Sequence, residues 1–223
     1  MTLLYARPPF GALKAGAYDL LMVDPPWPTQ MRSPKGERKS SGHHYGLMSF
    51  EAIAALPVGD LAARDAVLFL WCTWPMILFG GDPARKYADH DASRSRVGEC
   101  IRSWGFRYAT GGAWHKKTKN GKSRFGTGYR ARSSCEPFLL CIRGNPLNSR
   151  GERNLIEGLA REHSRKPEEA YAWCERYMPG ARRIKVFSRT PRRGWTTWGH
   201  ERGKFEPVVS ADADEGAGEQ VAA

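Results

Sequence analysis

No Gly-x-Gly-x-x-Gly follows the first apolar strand of this chain, so the usual cradle for a dinucleotide's pyrophosphate is missing there. Cysteine is sparse. The five residues, at 72, 100, 135, 141 and 174, include no Cys-x-x-Cys pair, which argues against a disulfide scaffold and for reduced thiols. His43 and His44 are adjacent and lack cysteine neighbours, so a zinc site is not expected. The His-x-Glu and Pro-Cys-x-x-Cys pair of the zinc deaminases is absent. Gly121-Lys122-Ser123 looks like the end of a phosphate-binding loop, but Lys116 stands where the upstream glycine is required. No apolar run approaches the roughly 18 residues that span a bilayer, and no signal-peptide core is visible. The expectation is a cytoplasmic protein with no membrane and no metal. Residues 206–223 contain no Lys or Arg and read as a disordered acidic tail.

What is abundant is positive charge. Thirty-five Lys and Arg against 23 Asp and Glu give a formal charge of +12. That balance favours a polyanionic partner, because basic side chains displace counterions from phosphates. The length of 223 residues suits one domain, read here as 1–205, with a sizeable core. Residues 30–44 are polar, basic and Gly/Ser/Pro-bearing, and read as a long functional loop. A second basic stretch covers 116–132.

Apolar runs at 18–23 and 66–73 read as buried strands, with further strands at 106–114, 137–142 and 183–187. Helices are expected at 50–56, at 94–104 closed by Gly105, and at 167–178, where proline opens and Gly180 follows. Strands alternating with helices predict an α/β fold with a mostly parallel sheet.

The first strand delivers Asp24-Pro25-Pro26-Trp27 at its carboxyl end, the edge where open α/β sheets bind ligands. Two prolines fix the backbone and remove two N–H donors, leaving neighbouring carbonyls as candidate acceptors. These groups suit methylation of an exocyclic adenine amine. That nitrogen is a poor nucleophile, since its lone pair is delocalised into the ring. Accepting its N–H bonds through Asp24 and the Pro25 carbonyl favours a pyramidal, reactive nitrogen. Trp27 offers a face for stacking, worth roughly 1–3 kcal/mol per base. Trp71 and Trp104 read as core.

The tetrad resembles the D-P-P-W motif of the MT-A70 family of adenine N6-methyltransferases. Further segments resemble that family in family order: His44-Tyr45-Gly46-Leu47-Met48-Ser49, Leu68-Phe69-Leu70-Trp71-Cys72-Thr73, Trp104-Gly105-Phe106 and Trp114-His115-Lys116. They continue with Gly126-Thr127-Gly128-Tyr129, Glu136, His163-Ser164-Arg165-Lys166-Pro167, Phe187-Ser188-Arg189 and Gly194-Trp195 through Trp198-Gly199. The likeness covers about residues 3–202 and is closest in type to single-domain bacterial or phage members.

The resemblance implies a Rossmann-like fold that uses S-adenosylmethionine, with permuted, β-class-like motif order, so that the tetrad precedes the main cofactor segment. It implies a catalytic set of Asp24, Pro25, Pro26 and Trp27. Cofactor contacts would come from Asp24, Ala6, Arg7, Lys166, Arg189, His200 and Glu201, with Lys166 on the methionine carboxylate. Substrate contacts would come from Trp27, His44, Tyr45, Lys116, Arg130 and Glu136. The sequence departs from the family pattern at His200, usually Asn, and at Lys185 and Ala6, where acidic residues are usual. The favoured reading is a DNA adenine N6-methyltransferase. An RNA adenine methyltransferase and a catalytically idle nucleic-acid-binding subunit stay open, as does a homodimer.

Overall fold

The computed structural model describes residues 5–28, 47–78, 95–126, 130–162 and 165–199. In chain order these form β1 (Tyr18–Val23), α1 (Phe50–Ala55), α2 (Val58–Leu61), β2 (Ala62–Trp71), α3 (Trp74–Ile77) and α4 (Arg96–Ser103). They continue with β3 (Arg107–Lys117), β4 (Cys135–Arg143), β5 (Leu155–Leu159), α5 (Glu168–Tyr177), β6 (Arg183–Val186) and β7 (Trp195–Trp198). The expected loop over 30–44, the tail over 206–223 and the boundary at 205 lie outside the described residues.

The strands make one sheet of seven in the order β5-β3-β4-β2-β1-β6-β7. Pairing is parallel for β1 with β2 and β6, for β6 with β7, and for β3 with β5. β4 alone runs backwards, antiparallel to both β2 and β3. The mostly parallel α/β sheet expected from the sequence is therefore present. β1 lies inside it between β2 and β6, the last expected strand. That adjacency is the permuted order in physical form: the tetrad's strand comes first in the chain, and its neighbour comes near the end.

The apolar runs are continuous because the sheet is covered on both faces. Leu21, Val23, Leu68 and Leu70 pack on one side against Phe50 and Ile53 of α1 and Val97, Cys100, Ile101 and Trp104 on or after α4. Leu20, Met22, Val67, Phe69 and Trp71 pack on the other against Phe138 and the Ala170, Trp173 and Cys174 face of α5. Trp71 and Trp104 are fully buried, as expected of core residues.

Helix ends follow local chemistry. Ser49 Oγ accepts from Ala52 N at 3.1 Å and Ser95 Oγ from Gly98 N at 3.0 Å, capping α1 and α4. α4 stops where Gly105 takes a φ of 77°, with Phe106 N donating to Ile101 O and Gly105 N to Arg102 O. β2 starts at Ala62, four residues before the expected strand, because Ala62 already pairs with Tyr18. β5, β7 and the single-turn helices α2 and α3 were not foreseen. Among the described residues no helix is long and apolar enough to cross a membrane.

Candidate active site

Five side chains meet at the carboxyl edge of the sheet. Asp24 leaves β1 there, and Lys166 sits two residues before α5. Lys116 lies near the end of β3. Glu136 comes from the start of β4, and the reversed direction of β4 is what brings its beginning to this edge, opposite Trp114. Lys185 lies in β6, paired with Met22 of β1 and Thr197 of β7.

Their charges alternate. Lys166 Nζ stands 3.0 Å from Asp24 Oδ1 and 2.9 Å from Glu136 Oε1. Lys116 Nζ stands 2.8 Å from Glu136 Oε2 and lies over the Trp114 ring. Lys166 Nζ also lies 5.3 Å from the Trp71 ring centre. Burial pushes the Glu136 carboxyl upward, but the ammoniums of Lys166 and Lys116 outweigh it and hold the group at about 2. Burial likewise pushes Lys166 down, and Asp24 and Glu136 reverse that, so its ammonium is held well above the ordinary lysine range.

A solvent-open pocket of about 530 Å³ lies beside this array. Its walls are Asp24, Arg161, Arg165, Lys166, Glu168, Tyr171, Lys185, Phe187, Arg189, Thr190, Pro191 and Arg192. Phe187 adopts a φ of 61°, a left-handed backbone that a side chain of its bulk rarely takes. Strain of this kind costs on the order of 1–3 kcal/mol and gathers at functional sites. It turns the chain sharply out of β6, and Ser188 N then donates to Trp198 O at 2.8 Å. Gly199 permits this closure, since a Cβ there would lie 2.6 Å from Ser188 O.

The tetrad itself is tightly held, and this corrects the expectation of free carbonyls. Pro25 O accepts Trp27 N at 2.8 Å, an i to i+2 turn, and Pro26 O accepts Met48 N at 3.0 Å. Each oxygen keeps one further lone pair. Trp27 is also not an open stacking face. It is 5% exposed, its ring lies against Phe50, and its Nε1–H donates to Trp71 O at 2.9 Å. An indole at this position spans from the tetrad to the end of β2 and fixes their spacing.

The remaining expected site residues divide. Asp24, Lys166 and Arg189 line the pocket together. Glu136 pairs with both Lys116 and Lys166, so the half-buried Lys116 ammonium is directed at this carboxylate rather than out towards a phosphate. Arg130 is exposed. Ala6 is buried and Arg7 grips Asp60 through Nε at 2.8 Å and Nη2 at 2.9 Å; neither lines the pocket. His44, Tyr45, His200 and Glu201 lie outside the described residues. Arg161, Tyr171 and Arg192 were missed, and Phe187 was read only as part of a family-like segment. Arg161 and Arg192 gave no signal distinct from the general excess of arginine, and Tyr171 lay within the apolar pattern of a helix.

Comparison with known proteins supplies the family. The profile of the MT-A70 family matches residues 18–201. The chain is 31% identical over 191 residues to an Arabidopsis thaliana protein named N(6)-adenosine-methyltransferase MT-A70-like, covering 83% of this chain and 24% of that one. It is 28% identical to the human N(6)-adenosine-methyltransferase catalytic subunit METTL3, covering 83% and 28%. It is 26% identical to the type II methyltransferase M.MunI of Mycoplasma sp, covering 92% and 88%. The chain thus spans about a quarter of the first two relatives and most of the third. With a family match across nearly all of the sheet and its carboxyl-edge site, this chain belongs to the MT-A70 family.

Proposed function

We propose that this chain transfers a methyl group from S-adenosylmethionine to the N6 amine of adenine in DNA. The observation that carries the reading is Asp24 at the carboxyl end of β1, lining the pocket while its Oδ1 is fixed by buried Lys166 at 3.0 Å. The pocket fits the cofactor. It offers a buried donor, Lys185 Nζ, that is unmatched among the described residues, together with a cationic wall for a carboxylate. Lys185 and Arg189, which line the pocket, would hold the amino-acid end. When bound, the cofactor supplies an electrophilic methyl on a sulfonium.

The protein's part is positioning and electrostatics. Asp24 accepts one N–H of the adenine amine through Oδ2, and the second lone pair of the Pro25 carbonyl accepts the other. The nitrogen lone pair then leaves the plane of the base and aims at the pocket. Lys166 keeps the Asp24 carboxylate oriented while the nitrogen becomes cationic. The surplus proton leaves through Asp24 or through solvent. Trp27 acts by holding the tetrad against β2. Exposed Arg130 and the basic surface contact phosphates.

DNA is favoured by the relative matched over most of its own length, the one named a type II methyltransferase. An RNA acceptor is the second reading, and the relatives named N(6)-adenosine-methyltransferases favour it. A labelled-methyl assay on DNA and on RNA, followed by nucleoside mass spectrometry, separates them. N6-methyladenine in DNA, lost in Asp24→Ala, is the expected result. Methylation of RNA alone assigns the acceptor to RNA, and methylation of neither defeats the enzymatic reading.

A further inference from the structure

Lys185 is an unusual residue to find inside a parallel sheet. It lies between β1 and β7 and is 3% exposed. Among the described residues its Nζ is buried without a hydrogen-bond partner. The carboxylate oxygen paired with it, Asp24 Oδ2, is 3.9 Å away, beyond hydrogen-bond reach. The group nonetheless lines the pocket. A buried donor left unmade is costly, and native structures rarely retain one without a use.

The other basic groups of the pocket differ in this respect. Lys166 already holds Asp24 and Glu136. Arg161 donates to Glu168 and to the Lys166 carbonyl. Arg192 donates to Glu175 and Glu168, and Arg165 to Glu162. Among the described residues, Lys185 is the buried lysine of this pocket that has no hydrogen-bond acceptor of its own. An uncharged hydroxyl would satisfy its hydrogen bond but not its charge. The pocket walls carry more basic than acidic groups, so the partner that satisfies both is an anion.

We propose that Lys185 receives the α-carboxylate of the cofactor's methionyl part, and that Lys166 serves instead as the positioning residue that aligns Asp24. This rests on the reading above that the pocket takes S-adenosylmethionine. The role of carboxylate partner thereby moves from the segment before α5 to β6. Burial, reinforced by the charges of Lys166 and Arg189, brings the Lys185 ammonium down to about 8 against the upward pull of Asp24 and Cys174. A carboxylate arriving there favours the charged form, so binding draws in a proton when the pH is higher.

The experiment is calorimetric titration with S-adenosylhomocysteine and with 5′-methylthioadenosine, which keeps the adenosyl thioether but has no carboxylate. The native chain at pH 7 binds the first at least about tenfold tighter, the size expected of one charged hydrogen bond. Lys185→Met and Lys185→Gln remove that advantage and leave 5′-methylthioadenosine affinity unchanged. In the native chain the advantage also shrinks as the pH rises above about 8, a readout that needs no substitution. Loss of both affinities together, or an advantage that persists in both variants, overturns the assignment to Lys185. Failure of the native chain to bind either compound overturns the cofactor reading itself, and this assignment with it.

Discussion

Glu136 and Asp24 grip the same buried ammonium, Lys166 Nζ, at 2.9 and 3.0 Å. Glu136 therefore acts on the tetrad at one remove. Glu136→Gln leaves Lys116 and Lys166 facing each other without the carboxylate between them. Breaking a buried pair by removing one partner costs roughly 3–5 kcal/mol. The expected outcome is a lower Tm and a fall in kcat with KM for nucleic acid little changed, because Asp24 loses its alignment and the acceptor surface is untouched. Adding Lys116→Met to Glu136→Gln removes one of the two stranded charges and restores part of the Tm. Chemical denaturation of the two single variants and the double variant measures that coupling.

Stability depends on pH through two members of the array, Glu136 and Lys185, with the same sign at each. Glu136 has a folded value near 2, below the ordinary 4.5, so its contribution is present above about 4.5 and is lost as the pH falls towards 2. Lys185 has a folded value near 8, below the ordinary 10.5, so the unfolded chain binds more protons between those values. Stability tied to Lys185 therefore rises from about pH 8 to about 10.5. The groups facing it are Asp24 after β1, Lys166 before α5, Cys174 on α5 and Arg189 after β6. Lys185→Met is expected to unfold at higher denaturant than the native chain at pH 7, and the difference is expected to close by pH 10.5. A variant no more stable than the native chain at pH 7 contradicts this.

Trp27 separates positioning from stacking. Trp27→Phe keeps an aromatic ring beside Phe50 but removes the donor to Trp71 O. A lost hydrogen bond of this kind costs about 1 kcal/mol in stability. If Trp27 positions the tetrad, kcat falls on every adenine-containing substrate while KM stays within a small factor. If the ring instead stacks on the base, KM rises and kcat is retained. Steady-state kinetics on a short oligonucleotide decides between them.

The strand skeleton was legible because buried strands need continuous apolar runs, and Tyr18–Val23 was bounded on residue grounds alone. β7 was not, because its Trp-Thr-Thr-Trp pattern is short and sits at the sheet edge. The edge strand β5 was lost for a similar reason, with exposed Glu157 and then Gly158 breaking its apolar run. Within the site, Asp24 and Lys166 were readable as a pair of motifs. Their direct contact was not, since it depends on β1 and the approach to α5 being brought together across the sheet. The inward turn of Lys116 was hidden too: in sequence it belongs to a basic stretch, and only the reversal of β4 sets Glu136 beside it.

That inward turn yields the last prediction. Lys116 and Arg130 were both candidates for phosphate contact, yet Lys116 Nζ is 2.8 Å from Glu136 Oε2 while Arg130 is exposed. A side chain that neutralises a phosphate contributes about one unit to the salt dependence of nucleic-acid binding, because counterions are released with it. Arg130→Ala is expected to flatten the slope of log affinity against log salt by about that amount. Lys116→Ala is expected to leave the slope unchanged and to lower kcat, since it disturbs Glu136 and through it Lys166. The measurement is fluorescence anisotropy of a labelled duplex over a range of salt concentrations, paired with methyl-transfer rates. A flattened slope in Lys116→Ala places its ammonium on a phosphate in the complex and removes it from the buried array.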